Sequence, residues 1–138
     1  MVQDNLNKNL LVVEDERVIG NICHRVLTKE GFNVVVAGDG NTALVLLGKY
    51  HFDLCLLDIR TPGIGGLELY TQICQLSPNL SSKVIFMTGD SLSKNIPEFV
   101  TKVGCQLLEK PFTTQELISA VNNVQNGWNQ STIGIRYS

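Results

Sequence analysis

The sequence predicts an α/β fold in which a doubly wound, five-stranded parallel sheet carries helices on both faces. Five short apolar runs alternate with longer segments whose apolar residues recur at helical spacing, which is the pattern of repeated strand–helix units. Most of the runs lack polar alternation, as expected of strands that are covered on both faces. Right-handed crossovers leave few topologies for such units, and the strand order 2-1-3-4-5 of flavodoxin-like proteins is the natural choice.

The five predicted strands are short segments rich in leucine, valine and isoleucine. They occupy residues 10–13, 32–37, 52–57, 83–87 and 106–109. Polar residues follow directly after strands one, three, four and five, so any chemistry in this protein is expected at the ends of the strands.

The segments between and after the strands predict five amphipathic helices. Their apolar residues share one face over residues 18–27, 43–47, 67–74, 96–103 and 117–124. Gly31 is expected to end the first helix. The fourth should begin near Asn95, because Pro97 fits only the first turn of a helix. Thr113 with Glu116 three residues later forms a capping box that opens the last helix.

Charge and hydropathy exclude several functional classes. The formal net charge of −2 gives no general attraction to nucleic acid or to an acidic membrane surface. The polar first residues, MVQDNLNKN, do not resemble a secretory signal, and no apolar stretch is long enough to span a bilayer. We therefore expect a cytoplasmic protein with no direct contact to nucleic acid and no membrane insertion.

The chain of 138 residues is long enough for one domain with a substantial core and too short for two. The periodic pattern ends near residue 126. Residues 1–126 are therefore predicted to form the domain, and residues 127–138 are predicted to be a C-terminal tail or a linker.

Cysteine usage indicates reduced thiols and no disulfide or metal framework. The four cysteines are far apart and form no CxxC pair: Cys23, Cys55, Cys74 and Cys105. All four lie in or beside apolar segments, so they are predicted to be buried.

Polar and charged residues follow four of the predicted strands. In open parallel sheets, ligands bind beyond the carboxyl ends of the strands, so these residues are expected to meet at one edge. They are Glu14, Asp15 and Glu16 after strand one, Asp58 after strand three, Thr88 and Gly89 after strand four, and Lys110 after strand five.

The charges of this group predict a cation site. Two carboxylates about 4 Å apart repel by about 4 kcal/mol at an effective dielectric constant near 20. Lys110 alone does not neutralise Glu14, Asp15 and Asp58, so the site must either raise a carboxyl pKa or bind a cation. Oxygen ligands with open positions suit Mg²⁺. An aspartate, a hard divalent ion, a lysine and a hydroxyl together are typical of phosphoryl transfer onto a carboxylate.

Four segments of the sequence resemble the signature blocks of response-regulator receiver domains from two-component signal transduction. They are LLVVEDE, LLDIRTPGIGG, FMTGD and LEKPF, and the resemblance covers about residues 9–125. The last two segments are also similar to receivers attached to hybrid sensor histidine kinases. The resemblance implies a phosphorelay protein that takes a phosphoryl group from a histidine kinase or a histidine phosphotransfer domain. It names no output partner.

The resemblance also implies a role for each site residue. Asp58 would be the phosphoacceptor. Asp15 and Asp58 would bind Mg²⁺ directly, with the backbone carbonyl of Arg60 as a third protein ligand and Glu14 acting through water. The switch and phosphoryl-binding residues would be Thr88, Gly89 and Lys110, and the bond between Lys110 and Pro111 would be cis.

One position departs from the family pattern. Receivers often carry an aromatic residue three positions before the lysine, and its ring moves inward when the hydroxyl residue turns toward the phosphoryl group. Leu107 stands at that position here. We therefore expect Thr88 to move on phosphorylation, while the face formed by the fourth and fifth predicted helices responds less than in receivers that have the aromatic ring.

Arg60 and Asp90 stand two residues beyond Asp58 and Thr88. They are predicted to face each other across the mouth of the pocket, either as a screened surface pair or as a control on water access to the phosphorylated aspartate. His24 and His51 are predicted to be solvated or capping residues.

Three other functional classes fit the predicted fold but match the sequence less well than the receiver. An aspartate-nucleophile phosphatase of the haloacid dehalogenase type requires a second aspartate two residues after the nucleophile, where this chain has Arg60. A flavin- or nucleotide-binding module would require a glycine-rich loop after strand one, where this chain has three acidic residues. A protein-interaction domain that is never phosphorylated would have no need for the complete set of signature residues.

Overall fold

The computed structural model describes residues 8–90 and 95–127. Five parallel strands form one sheet in the order β2-β1-β3-β4-β5, which confirms the predicted topology. The strands are β1 (Asn9–Val13), β2 (Asn33–Ala37), β3 (Leu54–Asp58), β4 (Val84–Thr88) and β5 (Gln106–Glu109). Of the predicted tail, only Gly127 lies within the described residues.

Six helices surround the sheet in the described part of the chain. They are α1 (Arg17–Lys29), α2 (Gly40–Lys49), α3 (Gly66–Leu76), α4 (Pro78–Ser81), α5 (Asn95–Val103) and α6 (Thr114–Gln125). Gly31 follows α1 with a φ of 102°, a conformation that favours glycine and ends the helix. The capping box of Thr113 and Glu116 is present at the start of α6. None of these helices is long and apolar enough to cross a membrane.

The core lies on both faces of the sheet, because successive strand residues point to opposite sides. On one face, strand residues such as Leu10 and Val12 pack with the buried residues of α1 and α6. On the other face, residues such as Leu11 and Val13 pack with α2, α3 and α5. All five residues of β3 and of β4 are buried.

Three details differ from the sequence prediction. The edge strand β2 is not covered on both faces, and Val35 and Val36 are each 38% exposed. Cys74 is exposed, because α3 buries Tyr70 and Ile73, and the next residue along a helix points about 100° away. The four-residue helix α4 was not predicted, although proline at its first position is typical of a helix start.

Two predicted strands also end one residue later than expected. Asp58 and Thr88 are the last residues of β3 and β4 rather than the first residues beyond them. Both side chains therefore sit on rigid, hydrogen-bonded backbone in the middle of the sheet.

A close backbone contact holds the chain just beyond Asp58. Gly66 begins α3, and its N–H donates a hydrogen bond to the carbonyl oxygen of Ile59, with N and O 3.0 Å apart. A Cβ at Gly66 would lie 2.6 Å from both the Asp58 carbonyl oxygen and the Ile59 Cα. Only glycine lets α3 begin this close to the end of β3.

We predict that Gly66→Ala destabilises the protein by about 1–3 kcal/mol, because the methyl group must displace backbone at the end of β3. Urea unfolding followed by circular dichroism measures the change. Gly48→Ala is the matched control, because Gly48 is in α2 and a Cβ there would meet no atom within 4 Å. It should leave stability unchanged or raise it by up to about 1 kcal/mol. Equal stability of the two variants would contradict the close contact.

Candidate functional site

A cleft of about 480 Å³ opens at the carboxyl ends of the strands. It lies where the chain reverses its direction across the sheet, between β1 and β3, and extends over β4 and β5. Seven residues line it: Asp15, Glu16, Asp58, Arg60, Gly89, Asp90 and Lys110. The structure therefore brings together the polar residues that follow four separate strands.

Strand register sets the position of each of these side chains. Asp58 pairs with Met87 of β4, and Thr88 pairs with Glu109 of β5. The backbone N–H of Lys110 donates to the carbonyl oxygen of Thr88 at 2.8 Å. The pairing of three adjacent strands thus places the carboxylate of Asp58, the hydroxyl of Thr88 and the ammonium of Lys110 at one edge of the sheet.

Three carboxylates meet in the cleft. Glu14, Asp15 and Asp58 each place an oxygen within 4.8 Å of the oxygens of the other two. Glu14 and Asp58 are only 2% and 4% exposed, whereas Asp15 is exposed. Buried carboxylates with an open solvent side fit a hard divalent cation that keeps part of its water shell.

Lys110 is the cation at the centre of this group. Its Nζ lies 2.7 Å from Glu14 Oε1, 3.1 Å from Asp58 Oδ2 and 3.3 Å from Glu16 Oε1. Burial alone lowers the pKa of Lys110, but its contacts with Glu14 and Asp58 outweigh burial and raise that pKa above its usual value. The ammonium therefore stays charged throughout the physiological pH range.

Glu14 carries the excess negative charge of the site. Its pKa is raised from 4.5 to about 7, chiefly by burial and to a smaller extent by the nearby charge of Asp58, against the opposing effects of Lys110 and the Glu16 backbone N–H. Burial thus disfavours the charged form of Glu14 more than Lys110 and the Glu16 N–H favour it. A bound cation would favour the charged form.

Asp58 is held in place from two sides. Its Oδ1 accepts a hydrogen bond from the backbone N–H of Arg60 at 3.1 Å, and its Oδ2 accepts one from Lys110. Thr88 is fully buried at the next strand end, and its Oγ1 accepts a hydrogen bond from the backbone N–H of Asp90 at 3.0 Å.

Arg60 and Asp90 form an ion pair across the mouth of the cleft, with one guanidinium nitrogen donating to Asp90 Oδ2. The Arg60 side chain is 67% exposed and that of Asp90 is 40% exposed. Gly89 lies beside them on the cleft wall, and a Cβ there would meet no atom within 4 Å. No packing contact therefore demands glycine at that position.

Thr61 also supports the site, although the sequence pattern predicted no role for it. Its side chain is buried, and its hydroxyl donates a hydrogen bond to the backbone carbonyl oxygen of Asp58. The available signal was a hydroxyl residue in a turn with Pro62 and Gly63, where such side chains commonly bond to nearby backbone. This bond holds the turn that carries the Arg60 N–H against Asp58.

Four other residues named in the prediction do not line the cleft: His24, His51, Leu107 and Pro111. The Lys110–Pro111 peptide bond is cis. Leu107 is half-buried beside Phe86 in the β4–β5 ladder, on the face covered by α5. His24 is exposed on α1, and His51 is outside the cleft, where its Nε2 lies 3.0 Å from Asp53 Oδ1 before β3.

Comparison with known proteins identifies the family. The model of the response regulator receiver domain matches residues 10–122. Sporulation initiation phosphotransferase F of Bacillus subtilis is 31% identical over 116 residues, covering 84% of this chain and 92% of the relative. The chain therefore belongs to the response regulator receiver domain family, the phosphoacceptor class of two-component signal transduction. The haloacid dehalogenase alternative gains no support from these matches.

Two further similarities come from a longer regulator and from a solved structure. Probable transcriptional regulator ycf29 of Porphyra purpurea is 34% identical over 120 residues, covering 86% of this chain and 57% of the relative. This chain spans about half the length of several such regulators. Response regulator protein TrrA of Thermotoga maritima, solved in complex with Mg²⁺-BeF, is 30% identical with a TM-score of 0.74, covering 85% of this chain and 98% of that one.

We predict that Glu14 makes the metal-free protein less stable as the pH rises. The folded protein holds the Glu14 proton more tightly than the unfolded chain does, so this stabilisation is full below pH 4.5 and is lost as the pH rises through about 7. The loss is on the order of 2–3 kcal/mol. Added Mg²⁺ should reverse most of it, because the metal binds the ionised carboxylates.

Urea unfolding at pH 5 and pH 8, with and without Mg²⁺, measures this effect. Glu14→Gln should remove most of the loss of stability between the two pH values. Glu68→Gln, at the exposed start of α3, should keep the wild-type pH dependence. A Glu14→Gln variant with an unchanged pH dependence would show that Glu14 does not carry the excess charge.

Proposed function

We propose that Asp58 accepts a phosphoryl group from a phosphohistidine on a histidine kinase or a histidine phosphotransfer domain. The observation that carries this proposal is the grouping of Glu14, Asp15 and Asp58 at one open cleft, where Lys110 contacts Glu14 and Asp58. A purely structural ion-pair group would be expected to balance its charges, and this one keeps an excess of acid. A binding site for a cation and a phosphoryl group explains that excess.

The residues present fit Mg²⁺. Asp15 and Asp58 would bind it directly, the backbone carbonyl of Arg60 would be a third ligand, and Glu14 would act through water. The ion would supply positive charge against the oxygens of the transferring phosphoryl group. This assignment is supported by the spacing of the three carboxylates.

The chain's own residues position the reacting groups. An Asp58 carboxylate oxygen attacks phosphorus, the P–N bond to the donor imidazole breaks, and the bonding electrons leave with that nitrogen. Lys110, already 3.1 Å from Asp58 Oδ2, pairs with a phosphoryl oxygen after transfer. The backbone N–H groups near Arg60 and Gly89 complete the binding of the other oxygens.

The signal is a shift between two arrangements of Thr88 and the loop after β4. In the unphosphorylated arrangement, the Thr88 hydroxyl accepts a hydrogen bond from the Asp90 N–H. The phosphoryl group offers that hydroxyl a stronger, charged acceptor, and so favours a second arrangement. Leu107 has no ring to follow this movement, so the change reaching α5 is expected to be small.

The protein is proposed to act through partners rather than as an enzyme on an external substrate. The reactions assigned to it are its own phosphorylation and the hydrolysis of its own acyl phosphate. The cleft is open at its mouth, which suits docking of a partner that carries the phosphohistidine.

Phosphorylation can be tested with acetyl phosphate and Mg²⁺. The wild-type chain should gain the mass of one phosphoryl group, and Asp58→Asn should gain none, because the amide is not a nucleophile for phosphorus. Asp53→Asn is the matched control, since Asp53 precedes the same strand at its opposite end, and it should be phosphorylated like the wild type. Intact-mass spectrometry gives the answer, and a phosphorylated Asp58→Asn variant would rule out this assignment.

The ion pair of Arg60 and Asp90 is proposed to limit the access of water to the acyl phosphate. Removing it with Arg60→Ala should shorten the lifetime of phosphorylated Asp58. An exposed pair is worth under about 1 kcal/mol, so the effect should be at most about fivefold. The decay of the phosphorylated mass after removal of the donor measures it. Arg25→Ala, on the exposed side of α1, is the control, and an unchanged rate in Arg60→Ala would end this part of the proposal.

A further inference from the structure

Lys110 has a third acidic partner to which the proposed chemistry gives no role. Glu16 Oε1 lies 3.3 Å from Lys110 Nζ, on the same ammonium that contacts Glu14 and Asp58. The Glu16 side chain is 62% exposed, whereas those of the other two acids are almost completely buried. One of the three partners of Lys110 can therefore exchange with water, and it lies on the wall of the cleft.

The backbone at Glu16 is fixed although its side chain is exposed. Its N–H donates a hydrogen bond to Glu14 Oε2 at 3.1 Å, and the residue precedes the first turn of α1. The Glu16 side chain makes no capping hydrogen bond to that helix. Its carboxylate is thus held beside Lys110 by the site itself and is not needed to start the helix.

The transferred phosphoryl group stays attached to Asp58, so any partner of Lys110 that it displaces is Glu14 or Glu16. An ammonium has three N–H donors, and three carboxylates already surround this one. Release of Glu14 would leave a buried carboxylate without its cation, which is costly. Release of Glu16 returns an exposed carboxylate to water at little cost.

We propose that Glu16 competes with the incoming phosphoryl group for Lys110 and thereby selects against small, highly charged phosphodonors. This inference rests on the proposed phosphorylation of Asp58. A small dianionic donor meets the charge of Glu16 before it reaches Lys110, and it has few other contacts to offset the repulsion. A protein that carries a phosphohistidine offsets it with the surface that it buries on docking.

The test compares Glu16→Gln with the wild type in the presence of Mg²⁺. With acetyl phosphate, which is mainly a dianion at neutral pH, Glu16→Gln should be phosphorylated at least about fivefold faster at low salt, because a pair of single charges about 4 Å apart in water already repels by about 1 kcal/mol. The gain should shrink at high salt because exposed charges are screened. It should also be smaller with phosphoramidate, which carries less net negative charge.

Glu30→Gln is the matched control, because Glu30 caps the opposite end of the same helix. It should be phosphorylated at the wild-type rate with both donors. A second measurement needs neither metal nor donor: the NMR shift of the Lys110 ammonium group should change in Glu16→Gln and stay the same in Glu30→Gln.

The outcomes separate this inference from the proposed function. If the wild type is phosphorylated on Asp58 but Glu16→Gln reacts no faster than Glu30→Gln, the proposal that Glu16 competes for Lys110 is wrong. The proposed phosphorylation of Asp58 would remain supported. An acceleration that is equal for both donors and insensitive to salt would also overturn it, because it would not be electrostatic. A wild-type chain that accepts no phosphoryl group from either donor overturns both.

Discussion

The repulsion between buried carboxylates is the constraint on which the site depends. Glu14 and Asp58 are almost fully buried, with Asp15 beside them, and within residues 8–90 and 95–127 Lys110 is the ammonium that contacts the two buried acids. Burial makes each of these charges costly, and it is the main reason why the pKa of Glu14 is raised. Binding of a cation in this site is therefore expected to lower the free energy of the folded protein. That property is what a phosphoacceptor needs.

The sheet and its hydrophobic core provide the stability that this arrangement of charges requires. Strands β3 and β4 are buried along their whole length, and helices cover both faces. The hydrophobic contacts on these two faces oppose the cost of bringing like charges together at one edge. The close approach of Gly66 and the hydrogen bond from Thr61 then hold the chain after Asp58 in one conformation. A site on flexible loops could not keep the acids this close.

Exposure divides the site into two layers with different tasks. The inner layer of Glu14, Asp58 and Thr88 is buried, and its geometry is set by strand register. The outer layer of Glu16, Arg60 and Asp90 is exposed, and its ion pairs are weak enough to open. The proposed phosphoryl transfer uses the inner layer together with Lys110 and the exposed Asp15, while the outer layer is proposed to affect the rate, the lifetime and the choice of donor. Substitutions in the outer layer can therefore tune the protein without unfolding it.

The sequence alone determined the strand–helix alternation, the strand order and the grouping of Asp58, Thr88 and Lys110 at one edge. Hydrophobic periodicity and the position of polar residues at strand ends are local signals that survive in any context. Only the tertiary structure decided that Glu16 shares Lys110, that Gly66 touches the end of β3, and that Cys74 and part of β2 face solvent. These features depend on distances between segments far apart in the chain or on the exact rotation of a helix, and neither is encoded in the spacing of residues along one segment.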